Sequence, residues 1–392
     1  MQETTIQAID IDRRIRLLTV TSALCIGGAE RVAGCLTERV ERRWFEAAAC
    51  YLKECGPVGE HMKLAGVEVV PIPGLSLGRR DYLTSAKLRR LIRARRIQVI
   101  HTHDIHSLVD GAICRLVTPG LRHVHTFHYG NYPQRDKTQR MLESLCWRPP
   151  DALVAVGHKQ AAAICDLFGI PEVRLQVIWT GVEDPGPSTL QFPLLGNLGR
   201  NVPVIASIST MIRQKGLEYL LEAAALLRQS GDTFVLLVIG DGALRSELVE
   251  RAARLGVSEQ VRFLGWVPEA ARQVLPACDI FVQSSLWEAM SIVVLEAMAA
   301  AKPMVVTSVG ENPHVIVPGE TGLIVPPADP SALADALRLL LRDPVRRAGL
   351  GRDARKRYEQ RFRVQHMVAE YQRLYFQVLG IAEPASRTLD CS

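Results

Sequence analysis

Short apolar runs alternate with longer segments whose apolar residues recur every three or four positions, and this alternation covers most of the 392 residues. From Arg16 to Thr180 the runs RLLTVTS, EAAACYL, VEVVPI, QVIHTH, LRHVHTF, ALVAVG and RLQVIWT predict strands. Segments between them, such as AERVAGCLTERVER and SLVDGAICRLV, carry helical periodicity. Strands alternating with helices predict parallel sheets covered by helices on both faces. After Gly181 the pattern lapses into EDPGPSTLQFPLLGNLGRNVP, whose Gly and Pro content predicts a linker. It resumes at VPVIASIST, and a second series runs to about Leu341. Two doubly wound domains place a ligand crevice between them, at the carboxyl ends of both sheets. A last helical segment, Val364 to Leu379, is rich in Tyr371, Leu374, Tyr375 and Phe376, and the tail from Glu383 reads as disordered.

Composition adds a few exclusions. With 48% hydrophobic and 22% charged residues the chain has apolar material for two full cores. No run of about 18 apolar residues occurs, so no membrane span is predicted. Arg13, Arg14 and Arg16 followed by LLTVTSALCIGG outline a targeting signal, but the run is short, holds polar Thr19, Thr21 and Ser22, and follows Asp10 and Asp12; it reads as a first buried strand. Nine cysteines, from Cys25 to Cys391, show neither CxxC nor zinc-ribbon spacing and read as reduced core residues of a cytoplasmic protein.

The net charge of +6 is uneven: residues 1–190 hold 25 Lys and Arg against 20 Asp and Glu, residues 191–392 hold 22 against 21. Arg79 to Arg96 contains eight basic residues and the single acid Asp81. Leu88, Leu91 and Ile92 form a helical apolar stripe there, with Lys87, Arg89, Arg90 and Arg93 on other faces. Two readings stay open: a solvated surface helix, or a patch giving peripheral contact with anionic lipid at the inner face of a membrane. Nucleic acid fits less well, because Tyr82 is the lone aromatic and no nucleic-acid motif is present.

Four segments carry candidate chemistry. In SSLWEAMSIVVLEAMAAA, Ser284 to Ala301, the chain turns after a strand ending in Phe281 and Val282, and a buried helix begins at about Ser291. The N–H groups of Met290, Ser291 and Ile292 are then without helical partners, and such groups bind phosphate oxygens. Glu288 and Glu296 flank that helix start with seven residues between them; on spacing alone, two solvated or capping glutamates are the better account of them. IGGAER places Gly27 and Gly28 between the first strand and first helix, where the backbone either approaches an anion or only turns. IRQKG places Arg213 and Lys215 after the first strand of the second half, by themselves an exposed pair at a helix start. Six of ten histidines, His101, His103, His106, His123, His125 and His128, fall within 28 residues. HTH and HVH put alternate side chains on one strand face, as in metal-binding pairs, so a zinc hydrolase is a rival reading; Asp104 is the one obvious carboxylate beside them.

Together with VLLVIGDG, VRFLGWVP, LPACDIFVQSS and AKPMVVTSVGENPHVIVPGETGLIVPP, the Glu288 to Glu296 segment resembles the E-x7-E region of the family 4 retaining glycosyltransferases, glycosyl transferases group 1. The resemblance is dense over about 180 residues of the second half and thinner in the first. It implies an α/β chain of the GT-B fold, two doubly wound Rossmann-like domains facing each other across a cleft. The expected domains are 1–183, acceptor-side; 184–202, linker; 203–363, nucleotide-sugar-binding; 364–380, a C-terminal helix crossing back to the N-terminal domain; and 381–392, a tail.

The resemblance also implies roles. His128, in HTFHYG, is expected at the sugar face, Glu288 orients the donor sugar, and Lys215 with Arg213 neutralises the pyrophosphate. Gly27 and Gly28 approach donor phosphate or acceptor, Glu296 reaches the ribose, the backbone of Val267 meets the base, and His103 and Asp104 line the acceptor cleft. The implied reaction moves a sugar, with retention, from a UDP-sugar or other nucleotide sugar to a lipid-linked or saccharide acceptor, as in polysaccharide or glycolipid assembly. No cofactor is implied, the nucleotide sugar being a substrate, and no metal, because cations and N–H groups of the protein take its place.

Several positions depart from the family pattern. Thr210 stands where an arginine is common, Ala289 replaces the glycine after the first glutamate, His314 replaces a glutamate in VGENPHVI, and TGVE at Thr180 to Glu183 replaces NGVD. They leave two alternatives standing: an epimerase of the nucleotide sugar itself, and a non-catalytic family member that binds a partner.

Overall fold

The computed structural model describes residues 14–72, 83–186 and 202–384. Most of the expected linker 184–202, Arg79 to Tyr82 at the head of the basic segment, and the end of the tail 381–392 lie outside the described residues. The chain divides into two compact units. The first takes residues up to His128, Tyr132–Trp179 and the chain from Gln365; the second takes Tyr129–Asn131 and Thr180–Val364.

The first unit is built on seven parallel strands: β1 Ile15–Ala23, β2 Phe45–Glu54, β3 Glu68–Pro71, β4 Val99–Thr102, β5 Arg122–Phe127, β6 Ala152–Ala155 and β7 Leu175–Val177. Each of the seven apolar runs of the first half contributes one of them. Their order is β3-β2-β1-β4-β5-β6-β7. β1 is central, with Leu17 opposite Ala47 on one side and Val99 on the other, and Leu18, Val20, Cys50 and Ile100 fill the core beside it.

The helix Val364–Leu379 packs on this unit from Gln365 onward. The Tyr375 hydroxyl lies 2.7 Å from His101 Nδ1 and the Tyr371 hydroxyl 3.0 Å from Thr126 Oγ1. Phe45 meets the Tyr375 ring edge-on at 5.8 Å. Two aromatic side chains of this helix, Tyr371 and Tyr375, thus bury apolar area while their hydroxyls find partners.

The second unit has six parallel strands: β8 Val204–Ile208, β9 Val235–Ile239, β10 Val261–Gly265, β11 Ile280–Gln283, β12 Met304–Thr307 and β13 Leu323–Val325, ordered β10-β9-β8-β11-β12-β13. Ile205, Leu236, Val282 and Val305 from the strands meet Leu220, Leu221 and Leu337 from the helices in its core. In both sheets the order reverses once, between β1 and β4 and between β8 and β11. The loops leaving the two strands at a reversal run to opposite sides, and the gap between them is where ligands of such sheets bind.

Eight described cysteines are unbonded, but only Cys50, Cys114 and Cys278 are buried and five are half-buried, so the expectation of core residues holds for three. Among the described residues no helix is long and apolar enough to cross a membrane.

Candidate functional site

At the reversal of the second sheet, the loops after β8 and β11 are joined to each other. After β8 the chain makes a single turn, Arg213–Lys215, that ends at Gly216 with φ +55°. Left-handed backbone suits glycine, and here any side chain would also collide: a Cβ at Gly216 would stand 2.3 Å from the Ser284 carbonyl oxygen. Backbone contact that close lets Leu286 N–H donate to the Gln214 carbonyl at 2.7 Å and the Ser284 hydroxyl to the Lys215 carbonyl at 2.9 Å. Gln214 Nε2 donates to the Trp287 carbonyl at 3.0 Å.

These ties bring together Lys215 and Glu288, side chains to which the sequence assigned separate tasks. Lys215 Nζ lies 2.5 Å from Glu288 Oε1, which also accepts from the Ser285 hydroxyl at 2.8 Å. Glu288 is only 7% exposed. A carboxylate buried to that degree needs its cation, since removing one partner of such a pair leaves an uncompensated charge. The pair therefore forms a preset plus–minus couple at the carboxyl edge of the sheet, with Arg213 exposed in the same turn and making no ion pair with a described carboxylate. Thr210 is exposed on the same loop.

Beyond Glu288, Met290 is buried with its sulfur 3.2 Å from the Thr180 N–H, and Ser291 is the N-cap of the helix Ile292–Ala299. The Ser291 hydroxyl makes no cap bond; it accepts from Gln283 Nε2 at 2.6 Å instead. That leaves the first N–H groups of the helix without a side-chain acceptor, the state in which a helix start binds anions. Glu296 is half-buried in the second turn. Val267, half-buried, follows the edge strand β10 and stands two strands from β8.

Two supports of this loop went unnoticed in the sequence. Gln283, at the end of β11, accepts from Asn312 Nδ2 at 2.9 Å while donating to Ser291; all three are at most 7% exposed. Gly310, φ +51°, brings backbone against the Glu288 carbonyl, where a Cβ would be 2.4 Å away, and Glu311 N–H donates to the Ala289 carbonyl at 3.0 Å. A glutamine in an otherwise apolar strand run was the one available signal for the first. His314 is half-exposed, its Nδ1 3.6 Å from a carboxylate oxygen of the buried Glu311.

The reversal of the first sheet is built the same way. Asp104, after β4, caps the helix Ile105–Val117 through the N–H groups of His106 and Ser107 and also accepts from the Ser22 N–H and hydroxyl, both at 2.6 Å. Its carboxylate is thus engaged in joining the two loops. Gly27 is the extended N-cap of the helix Gly28–Arg39. A Cβ there would stand 2.1 Å from a carboxylate oxygen of Glu30. Burial raises the Glu30 carboxyl above its ordinary range, opposed by a bond to its own N–H and assisted by the Asp104 charge. The anion at this helix start is the chain's own.

The histidines form a hydrogen-bonded layer. His101 bonds Tyr375 through Nδ1 and Thr126 through Nε2 at 2.8 Å, and Thr102 Oγ1 lies 2.8 Å from both His123 Nε2 and His125 Nδ1. His103 Nδ1 is 3.0 Å from His128 Nε2. Burial holds His101, His103 and His125 well below the usual imidazole range, His123 at about 3 and the half-buried His128 at about 4. Hydroxyls take both ring nitrogens of His101 and one each on His123 and His125, and His103 and His128 are turned to each other, which argues against a converging set of zinc ligands; His103 Nε2 and His123 Nδ1 have no partner among the described residues.

Comparison with known proteins follows the two units. Residues 26–184 match Glycosyltransferase Family 4, and residues 196–357 match Glycosyl transferases group 1. The alpha-maltose-1-phosphate synthase of Mycolicibacterium smegmatis is 28% identical over 332 residues, 76% of this chain and 83% of that protein. The N-acetyl-alpha-D-glucosaminyl L-malate synthase of Bacillus anthracis is 24% identical over 76% of this chain and 80% of its own length. Anabaena HepE, solved in complex with UDP-glucose, superposes with a TM-score of 0.81 at 20% identity, covering 93% of this chain and 100% of that one, a likeness of fold.

Proposed function

From the membership of this chain in the family 4 glycosyltransferases, glycosyl transferases group 1, with the GT-B fold of two Rossmann-like domains, we propose that it moves a sugar from a uridine diphosphate sugar to an acceptor hydroxyl with retention at the anomeric carbon. The observation that carries this reading is the Lys215–Glu288 couple beside the uncapped start of the helix Ile292–Ala299. Uridine is favoured by the UDP and UDP-glucose complexes of HepE.

The donor diphosphate lies over the helix N–H groups and draws Lys215, with Arg213, onto its oxygens. Glu288 then exchanges part of its bond to Lys215 for sugar hydroxyls. The anomeric carbon–oxygen bond breaks as negative charge collects on the leaving phosphate, where fixed cations and N–H groups stabilise it without reorganising. The acceptor oxygen bonds the same face of the anomeric carbon, and its proton passes to the leaving phosphate oxygen. Glu296 holds the ribose and His128 a sugar hydroxyl. The acceptor is a saccharide or a lipid-linked saccharide.

A thermal-shift series with UDP, GDP and ADP and their sugars tests the donor half. UDP and one UDP-sugar should raise the melting temperature, and Glu296→Ala should weaken both shifts. A folded protein shifted by none of them would refute the reading, and a UDP-sugar isomerised without acceptor would replace it with epimerisation.

A further inference from the structure

Three neighbouring helices of the first unit turn outward faces that the proposed reaction does not use. Thr84–Ala94, Ile105–Val117 and Lys137–Cys146 lie side by side, the middle one packed on both others. Their inner faces hold Leu88, Leu91, Leu108 and Ala112, all buried. The middle helix is apolar on its outer face as well: Ile113, Leu116 and Val117 are 44%, 72% and 46% exposed, and beside them Met141 and Leu145 are 56% and 65% exposed. A helix apolar on nearly every side is normally covered on every side.

Cations rim this apolar centre. Arg90 and Arg93 are exposed on the first helix, Lys137 and Arg140 lie on the third, and Arg148 is exposed just past its end. None of the five pairs with a carboxylate among the described residues. The nearby acids are engaged elsewhere: Asp110 takes the Ser85 hydroxyl at 2.5 Å, Asp136 caps its own helix, and Glu143 is buried 3.1 Å from Arg135.

We infer that this three-helix face docks on an anionic phospholipid surface, with the five apolar side chains entering the headgroup boundary and the rim cations on lipid phosphates. Aliphatic centre and cationic rim each match one layer of such a surface. A nucleic acid supplies phosphates but nothing to cover Ile113, Leu116 and Leu145. A second copy of the chain covers the apolar centre but sets one cationic rim against another, which like-charge repulsion opposes.

The full chain is floated with vesicles of phosphatidylcholine alone and of phosphatidylcholine mixed with phosphatidylglycerol. It should float with the mixed vesicles only, and salt should release it. Each lost cation weakens partition about fivefold, so Arg90→Gln with Arg93→Gln should cost about twenty-five-fold. Leu116→Ser with Leu145→Ser should also reduce flotation, and Leu145→Trp should give a blue-shifted emission with mixed vesicles and not without them. Unchanged melting temperatures show that the variants are folded. Absence of flotation by the folded wild type, or flotation indifferent to both double variants, overturns the inference. So does lipid-free self-association that the leucine variant abolishes. None of these outcomes depends on donor binding, so the proposed reaction stands or falls separately.

Discussion

Acidification from pH 7 to pH 5.5 should destabilise the first unit by about 5 kcal/mol, through His101, His103, His123 and His125. All four are at most 2% exposed, and burial holds them neutral, His123 down to about 3 and the others well below the ordinary range. Unfolded, each titrates near pH 6.5. Their contribution is fully present above that value and is lost as pH falls, because the unfolded chain then binds protons that the folded one refuses. One histidine neutral in the fold and titrating at about 6.5 when unfolded loses about 1.3 kcal/mol over this interval, hence about 5 kcal/mol for four. That is a large part of the roughly 5–15 kcal/mol that stabilises a domain. Hydrogen exchange, corrected for intrinsic rates, reads the two units separately. Amides of β4 and β5 should lose protection steeply, while those of β8 and β9 should not, since the second unit's one histidine, His314, is half-exposed. A loss in β4 and β5 below about 1.5 kcal/mol would mean that no more than one of these rings is held neutral, and the reasoning would fail.

Two further outcomes follow from the second unit. Lys215→Ala should destabilise it by about 3–5 kcal/mol in urea unfolding, because Glu288 keeps a buried charge without its partner, and adding Glu288→Gln should recover part of the loss; equal stability of the three proteins would show the couple to be solvated. Gln283→Leu should leave Ser291 and Asn312 each short of a partner, costing about 2–4 kcal/mol. If Gln283 also positions the helix start, donor KM should rise more than acceptor KM, and Gln283→Asn should not restore it, its amide being one methylene short; an equal rise in both would limit Gln283 to stability.

The sequence by itself determined the kind of each element. All seven strands of the first unit coincide with apolar runs, because residues of a strand buried on both faces must be apolar wherever the strand sits in the sheet. It likewise determined that IGGAER, IRQKG and the Glu288 segment follow strands and precede helices, and so lie at carboxyl edges. That is a consequence of local order along the chain, and so is the family likeness carried by those motifs.

Partnership was decided by the tertiary structure. Lys215 and Glu288 meet because β11 pairs with β8 and not with β9 or β10, and no local pattern encodes which strand lies next to which. Asp104 meets Ser22 because β1 pairs with β4, a contact that no local pattern encodes. HTH and HVH have the spacing of metal pairs, yet Thr102, Thr126 and Tyr375, the last from a helix far along the chain, take both ring nitrogens of His101 and one each of His123 and His125. The periodicity of Ile105–Val117 marks a helix, and packing covers its inner side while leaving Ile113, Leu116 and Val117 exposed. Periodicity reports which side chains avoid water; which atoms replace the water is settled only when distant segments compete for the same surface and one arrangement satisfies the most polar groups at the least strain.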